Sequence, residues 1–128
     1  MNVLLDTHVL LWMVSRSRQL SSIARDVLSN DANKLLFSVA AYWELGIKIS
    51  IGKLELKEGW QEALPKEIAR NGISWLPVVP SHIHAVARLP WIHRDPFDRL
   101  LIAQAITENL TIMTADPWFT DYGVPVVW

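Results

Sequence analysis

Short, almost wholly apolar runs alternate along this chain with longer segments of helical pattern, and this alternation most restricts how it can fold. Strands that are apolar at successive positions are typical of a parallel sheet covered on both faces. The intervening helices indicate βαβ units and therefore an α/β fold with a mainly parallel sheet. Strands are predicted at Asn2–Asp6, Lys34–Phe37, Ile73–Val79 and Leu110–Thr114, with a last short strand near Val124–Val127.

The segments between the strands carry recognisable helix starts. Ser21 or Ser22, Ser38 and Asp95 are residues that commonly cap helices, and Pro65 predicts a boundary or kink within its segment. With no internal repeat and no convincing linker, the 128 residues are expected to form one domain, 1–128. Helices are predicted at Val9–Ser15, from Ser21 or Ser22 to about Asn30, from Ser38 through Lys48 towards Ile51, and at Trp60–Asn71, Ser81–Arg88 and Asp95–Asn109.

Composition limits the classes of function. The chain has no cysteine, which excludes disulfides and cysteine-ligated zinc and fits a cytoplasmic location. No signal peptide is evident, because Asp6 and His8 interrupt the early apolar residues, and no stretch approaches the length of a membrane span. The net charge of −1 gives no overall basic surface for nucleic acid, so local cations and a metal would have to attract it.

Four acidic residues, Asp6, Glu44, Asp98 and Asp116, each follow an apolar segment directly or within a turn or two. Ligands of open α/β sheets bind at the carboxyl ends of the strands, so these acids are predicted to line one pocket. Carboxylates packed together repel one another, and a divalent cation removes that cost. Oxygen ligands of this kind suit Mg²⁺ or Mn²⁺ beside a phosphate, which points to metal-dependent cleavage of a nucleic acid.

Each acid also has an ordinary structural explanation. Asp6 is well placed to cap the following helix, and Asp116 precedes Pro117 in the same cap-plus-proline pattern. Glu44 lies four residues before Lys48, a spacing that supports an exposed helical ion pair. Its helical stripe is nevertheless largely apolar, which favours a further role. For Asp6 and Asp116 both interpretations stay open at this point.

The segment Asp95-Pro96-Phe97-Asp98 contains two acids at one helix start. One cap is enough for one helix, so Asp95 is assigned to capping and Asp98, which heads a core-facing stripe, to chemistry. The histidines offer no zinc spacing: His82 and His84 are two apart, and His8 and His93 are isolated, although His8 is expected at the pocket rim.

Four segments together resemble the PIN-domain family, and specifically its VapC-type toxins. Each segment is weak alone, but their order and spacing span nearly the whole chain. They are Leu4-Leu5-Asp6-Thr7-His8-Val9-Leu10-Leu11-Trp12, Ser38–Lys48 with Tyr42-Trp43-Glu44-Leu45-Gly46, His93–Ala105 with Asp95-Pro96-Phe97-Asp98-Arg99, and Thr114-Ala115-Asp116.

The resemblance implies a three-layer α/β/α sandwich and a metal-dependent endoribonuclease. The family's four acids correspond in order to Asp6, Glu44, Asp98 and Asp116, which would hold one or two Mg²⁺ or Mn²⁺ ions with Glu44 as a ligand or a base. Asp95 is an additional acid, so either it or Asp98 could be the closer ligand. Ala115 stands where Asn is common. The candidates to hold the RNA backbone are Lys48, Arg94, Arg99, Thr7 and Thr114.

The resemblance also implies partners: an RNA substrate that is single-stranded or structured, a VapB-type antitoxin that blocks the site, and a second copy in a homodimer. Five tryptophans are expected in the core more often than at such interfaces: Trp12, Trp43, Trp60, Trp75 and Trp91.

Two alternatives to a nuclease remain open from the sequence. The first is a PIN-fold interaction module without catalytic activity, against which the complete set of acids argues. The second is a haloacid-dehalogenase-like phosphatase, which also places an Asp after its first strand. That enzyme needs another Asp two residues further on, and this chain has His8 there.

Overall fold

The computed structural model describes residues 1–128 and contains one five-stranded parallel sheet. The strand order is β3-β2-β1-β4-β5, so β1 lies in the centre. Val3 in β1 is level with Leu35 of β2 on one side and with Thr111 of β4 on the other. The strands are β1 (Asn2–Leu5), β2 (Lys34–Ser38), β3 (Ile73–Leu76), β4 (Thr111–Met113) and β5 (Val126–Val127).

Helices flank the sheet on both faces, as the predicted three-layer α/β/α sandwich requires. Val3, Leu4 and Leu5 of β1 have no exposed surface although their side chains alternate between the two faces, so both faces are covered. The helices are α1 (Thr7–Val14), α2 (Ser22–Ser29), α3 (Val39–Ser50), α4 (Trp60–Arg70), α5 (Pro80–Arg88) and α6 (Pro96–Glu108), followed by a 3-10 turn at Pro117–Tyr122.

Several element boundaries differ from the predicted ones for local reasons. Helix α1 begins at Thr7, two residues early, because Asp6 caps it. Strand β3 ends at Leu76, three residues early, since Pro77 has no N–H to donate to a neighbouring strand. Pro65 lies inside α4 and does not end it. Strand β5 keeps only the last two of its four predicted residues.

The tryptophans are not the core residues that the sequence led us to expect. Trp43 and Trp91 are 64% and 77% exposed, and Trp75 is 39% exposed. Trp12 and Trp60 are only partly buried and pack against the edge of the core. A cluster of 26 smaller apolar residues fills the interior instead. No helix combines the length and the apolar character that crossing a membrane requires.

The strand order places the predicted site at a particular point of the sheet. From β1 the chain moves outward to β2 and β3, then returns to the other side of β1 to form β4. Such a reversal leaves a crevice between the loops that leave the two neighbouring strands at their carboxyl ends. Asp6 follows β1 and Asp116 follows β4, so both acids lie at this crevice.

Candidate active site

One small cavity brings together the four predicted acids Asp6, Glu44, Asp98 and Asp116. Its volume is about 130 Å³. Asp6 and Asp116 come from the loops after β1 and β4, whereas Glu44 lies on α3 and Asp98 in the first turn of α6. Residues separated by up to 110 positions thus share one site, because parallel strands deliver their carboxyl ends to one edge of the sheet.

The rest of the cavity wall is also mainly polar. Thr7, His8, Lys48 and Asp95 line it, and two apolar side chains, Leu101 and Phe119, complete it. Lys48 is the one lysine or arginine among the lining residues. The cavity is therefore strongly acidic, although the net charge of the whole chain is only −1.

Asp6 and Asp116 serve as helix caps as well as lining the cavity. The Asp6 carboxylate accepts a hydrogen bond of 2.8 Å from the Val9 backbone N–H at the start of α1. The Asp116 carboxylate accepts one of 3.0 Å from the backbone N–H of Trp118 in the 3-10 turn. Capping and chemistry, which the sequence left as alternatives for these residues, are compatible because each carboxylate has a second oxygen.

The two acids at the start of α6 have different environments. Asp95 Oδ1 accepts hydrogen bonds from the backbone N–H groups of Phe97 and Asp98, at 2.9 and 3.0 Å, and so caps the helix. Asp98 caps nothing; its Oδ2 lies 2.8 Å from Nε2 of His93. The geometry agrees with the assignment of Asp95 to capping.

Glu44 is held from both sides. Thr7 donates its hydroxyl to Glu44 Oε1 at 3.3 Å, and Lys48 Nζ lies 3.8 Å from Oε2. The predicted pair at helical spacing four is therefore present, and it lies at the cavity rather than on an unrelated surface. These contacts join α1 to α3 and fix the direction of the carboxylate.

Burial and like charge both act on the pocket acids. The pKa of Asp98 is raised from 3.8 to about 6, mainly by burial; the neighbouring Asp95 and Glu44 add to this rise, and the hydrogen bond from His93 opposes it. Burial also raises the pKa of Asp6, with a smaller contribution from Asp116, while Thr114, the Val9 N–H and His8 lower it. A cation bound beside Asp6 and Asp98 would therefore stabilise their ionised forms.

The spacing of the side chains bears on how an ion would be held. No group of three acidic or histidine side chains is close enough to ligate one ion directly. Mg²⁺ commonly takes only one or two carboxylates from a protein and keeps several of its waters. The oxygen-rich lining and the cavity volume fit such a hydrated ion, whereas they do not fit a fully protein-ligated one.

Two of the residues predicted to hold the RNA backbone are wrong in that role. Arg99 is 3% exposed, and its guanidinium donates hydrogen bonds to backbone carbonyls of α5 and of the loop before α6. Thr114 is 1% exposed, and its hydroxyl accepts the Asp116 backbone N–H. The Arg99 guanidinium is engaged by backbone carbonyls, and the Thr114 hydroxyl also bonds the Asp6 carboxylate, so neither buried side chain is free to hold an RNA phosphate. Lys48 and Thr7 line the cavity, and Arg94 is exposed.

His93 was considered isolated, yet it contacts Asp98 directly. Its ring also stacks on Trp118, with centroids 5.6 Å apart and planes at 6°. A spacing of five across a loop and a helix start is not a recognised pairing pattern, so no sequence pattern indicates this contact. His8 lines the cavity, where it was expected.

Residues 3–125 match the PIN domain family. The chain belongs to the PIN-domain family. This membership agrees with the parallel five-stranded sheet and with the helices on both of its faces. It leaves the haloacid-dehalogenase-like phosphatase without support.

Known proteins similar to this PIN domain include Ribonuclease VapC22 from Mycobacterium tuberculosis, which is 28% identical over 125 residues, covering 89% of this chain and 86% of the relative. VapBC2 from Rickettsia felis, solved with a DNA fragment from their promoter, matches with a TM-score of 0.72 and 17% identity over 99% of this chain and 98% of that chain. VapBC-1 from nontypeable Haemophilus influenzae matches with a TM-score of 0.72 and 19% identity over 99% and 97%. At such identities the two structures show the fold.

Proposed function

We propose that this PIN domain is a metal-dependent endoribonuclease and the toxin of a toxin–antitoxin pair. The observation that carries the proposal is the meeting of four carboxylates in one cavity at the crevice between β1 and β4. The similarity to Ribonuclease VapC22 supports RNA as the substrate. Four carboxylates in one cavity repel one another and so destabilise the fold, and a module without catalytic activity would gain nothing that offsets this destabilisation.

Asp6, Asp98, Asp116 and Glu44 are the residues that would hold Mg²⁺ or Mn²⁺, some of them through water. The bound ion would activate a water for attack and offset the negative charge that builds on the scissile phosphate. Asp6 and Asp116 are oriented by their caps, and Asp95 remains engaged at the start of α6. Cleavage in this way leaves 5′-phosphate and 3′-hydroxyl ends.

Glu44 is suited to receive a proton from the attacking water. Thr7 and Lys48 hold its carboxylate at the cavity, and the side chain is 12% exposed, so it is shielded but reachable. Lys48, whose side chain is 38% exposed, can contact a phosphate oxygen from the same wall. Arg94 is placed on the loop beside the site to hold the flanking backbone. A narrow acidic cavity of this kind suits the exposed backbone of single-stranded or looped RNA better than a duplex groove.

Two protein partners belong to the proposal. A VapB-type antitoxin is supported by the VapBC complexes among the structural neighbours. A second copy of the chain is supported by an exposed apolar surface, which we name the Trp43 face. Its lining residues are all apolar: Val39, Ala40, Trp43, Val78, Ile83 and Leu100.

The proposed activity is tested with a matched pair of variants at the start of α6. Asp98→Asn should lose RNA cleavage by about 100-fold or more, because loss of a mere supporting group at a metal site already costs 10- to 100-fold. Asp95→Asn should stay within a few-fold of the unmodified protein, since Asn caps a helix as well as Asp does. Cleavage of a labelled RNA with Mn²⁺, with mapping of 5′-phosphate ends, measures both.

The same pair decides between the two acids. Loss of activity in Asp95→Asn with full activity in Asp98→Asn would reverse their roles. Full activity in both variants, and in Asp6→Asn as well, would reject the nuclease site. Circular dichroism of each variant confirms that it is folded before its activity is compared.

A further inference from the structure

His93 is the side chain that holds the Asp98 carboxylate. Its Nε2 lies 2.8 Å from Asp98 Oδ2, and Asp98 Oδ1 accepts no hydrogen bond from the protein. Oδ1 is also not sealed in the interior, since the one buried side-chain polar atom without a partner is Gln104 Oε1. Asp98 therefore has one oxygen engaged by His93 and one oxygen free at the cavity.

The His93 ring is itself fixed by its surroundings. It lies parallel to the Trp118 indole at 5.6 Å between centroids. Its backbone N–H donates to the Tyr122 hydroxyl at 2.8 Å, and its carbonyl accepts from the buried Arg99 at 3.4 Å. With the backbone and the ring both restrained, the direction of Nε2 is determined before any ligand binds.

The same stack connects two of the pocket acids. Trp118 covers His93 with its ring and donates its backbone N–H to Asp116 at 3.0 Å. Asp98 on α6 and Asp116 after β4 are thus joined through His93 and Trp118. The distance between these acids depends on the stack as well as on the sheet.

An aspartate needs such a partner to point in one direction. The last torsion of its side chain is broad, with no sharply staggered positions, so packing alone leaves the carboxylate free to turn. Hydrogen-bond partners of this kind orient ligands at metal sites and raise affinity for the ion.

We propose that His93 is a positioning residue that keeps Asp98 Oδ1 directed at the cavity, where it is available to a divalent cation or to a water of that cation. The proposal rests on the proposed function, because it gives the Asp98 carboxylate the role of a ligand. His93 acts through Asp98 and touches neither RNA nor the reacting atoms.

Two substitutions separate the hydrogen bond from the stacking. His93→Phe keeps a flat ring against Trp118 but has no donor for Asp98. His93→Gln loses the aromatic ring but carries an amide N–H at about the position of Nε2. Mn²⁺ binding, measured by isothermal titration calorimetry on purified full-length protein, is the readout, with RNA cleavage measured in parallel and Asp98→Asn as the reference for a lost ligand.

The expected result is a Mn²⁺ affinity about 10- to 100-fold weaker in His93→Phe, recovered for the most part in His93→Gln. Wild-type affinity in His93→Phe overturns the proposal, and so does an equal loss in both variants, since the ring would then matter rather than the donor. If His93→Phe does not fold, His93→Leu takes its place in the comparison with His93→Gln. Failure of the unmodified protein to bind Mn²⁺ would instead reject the proposed function itself.

Discussion

Among individual residues, the pocket acids differ in what keeps them in position. Asp6 and Asp116 are held by backbone N–H groups of the elements that they cap. Glu44 and Asp98 are held only by side chains, Thr7 and Lys48 for the first and His93 for the second. Neutralising Asp98 therefore removes a charge from the cavity without removing a cap, which makes it the best position for testing the cost of that charge.

Asp98→Asn should stabilise the metal-free protein at neutral pH. Because the pKa of Asp98 in the folded protein is raised from 3.8 to about 6, folding favours its protonated form. Below about pH 4 the Asp98 carboxyl is protonated in both the folded and the unfolded protein, so it does not lower the free energy of unfolding. As the pH rises from about 4 to 6, ionisation of Asp98 destabilises the folded protein increasingly, and above about pH 6 this loss of stability reaches its full size. The variant should gain a few degrees in Tm above pH 6 and almost nothing near pH 4.

Thermal melts of metal-free protein across this pH range measure the gain. Added Mn²⁺ supplies an internal control, since it should raise the Tm of the unmodified protein and leave the variant almost unchanged. A stability difference that stays constant from pH 4 to 8 would contradict the raised pKa.

At the scale of structural elements, one buried arginine organises the loop between α5 and α6. The guanidinium of Arg99 donates to the carbonyls of Val86, Leu89, Pro90 and His93. It also lies 4.0 Å from the centre of the Trp91 ring. The loop carries His93 and leads into the helix that carries Asp98, so Arg99 shapes the site from behind it.

Arg99→Met is therefore expected to destabilise the fold strongly. Several carbonyls at the loop would lose their donor, and an unsatisfied buried group costs about 1–3 kcal/mol, so a loss on the order of 3 kcal/mol in the free energy of unfolding follows. Arg94→Met is the matched control, since Arg94 lies exposed on the same loop and should change stability by about 0.5 kcal/mol at most. Urea unfolding measures both, and equal stability of the two variants would refute the account of Arg99.

The elements that the sequence predicted best are those with strong local signals. Helix α6 begins at the Asp95-Pro96 pair, and β2 is formed by the predicted apolar run, as expected. Helix α1 starts two residues before the predicted position because the Asp6 cap begins it at Thr7, and β3 is shorter than predicted because Pro77 ends it although the apolar residues continue. Local pattern thus located the elements, and backbone hydrogen bonding decided where they stop.

At the scale of the whole molecule, several large apolar side chains lie together on one exposed face. On the Trp43 face, Val39, Trp43, Val78 and Ile83 are 44%, 64%, 39% and 51% exposed and line one groove of about 340 Å³. Glu44, the residue next to Trp43, lines the acidic cavity of the candidate active site. A second copy bound at this face would bury the apolar groove and bring two sites near one another.

Ile83→Glu should weaken the proposed self-association about tenfold or more, because a charge would be buried in an apolar interface. Ile23→Glu is the control: Ile23 is 55% exposed, also helical, and does not line this groove. Analytical ultracentrifugation over a concentration series reads the dimer affinity of each. A monomeric unmodified protein, or an equal effect of the two changes, would remove the Trp43 face as the dimer interface.

The sequence by itself predicted the parallel α/β fold, the family and the four acids that line one cavity, since apolar runs, helix starts and the order of motifs can be read along the chain. Only the tertiary structure decided that Arg99 and Thr114 are buried, that His93 holds Asp98, and that Trp43 and Trp91 face outward. These facts depend on which side chains meet when distant segments pack. The spacing of residues along the chain does not predict contacts formed across loops, and the identity of a tryptophan or an arginine does not decide whether its side chain is buried or exposed.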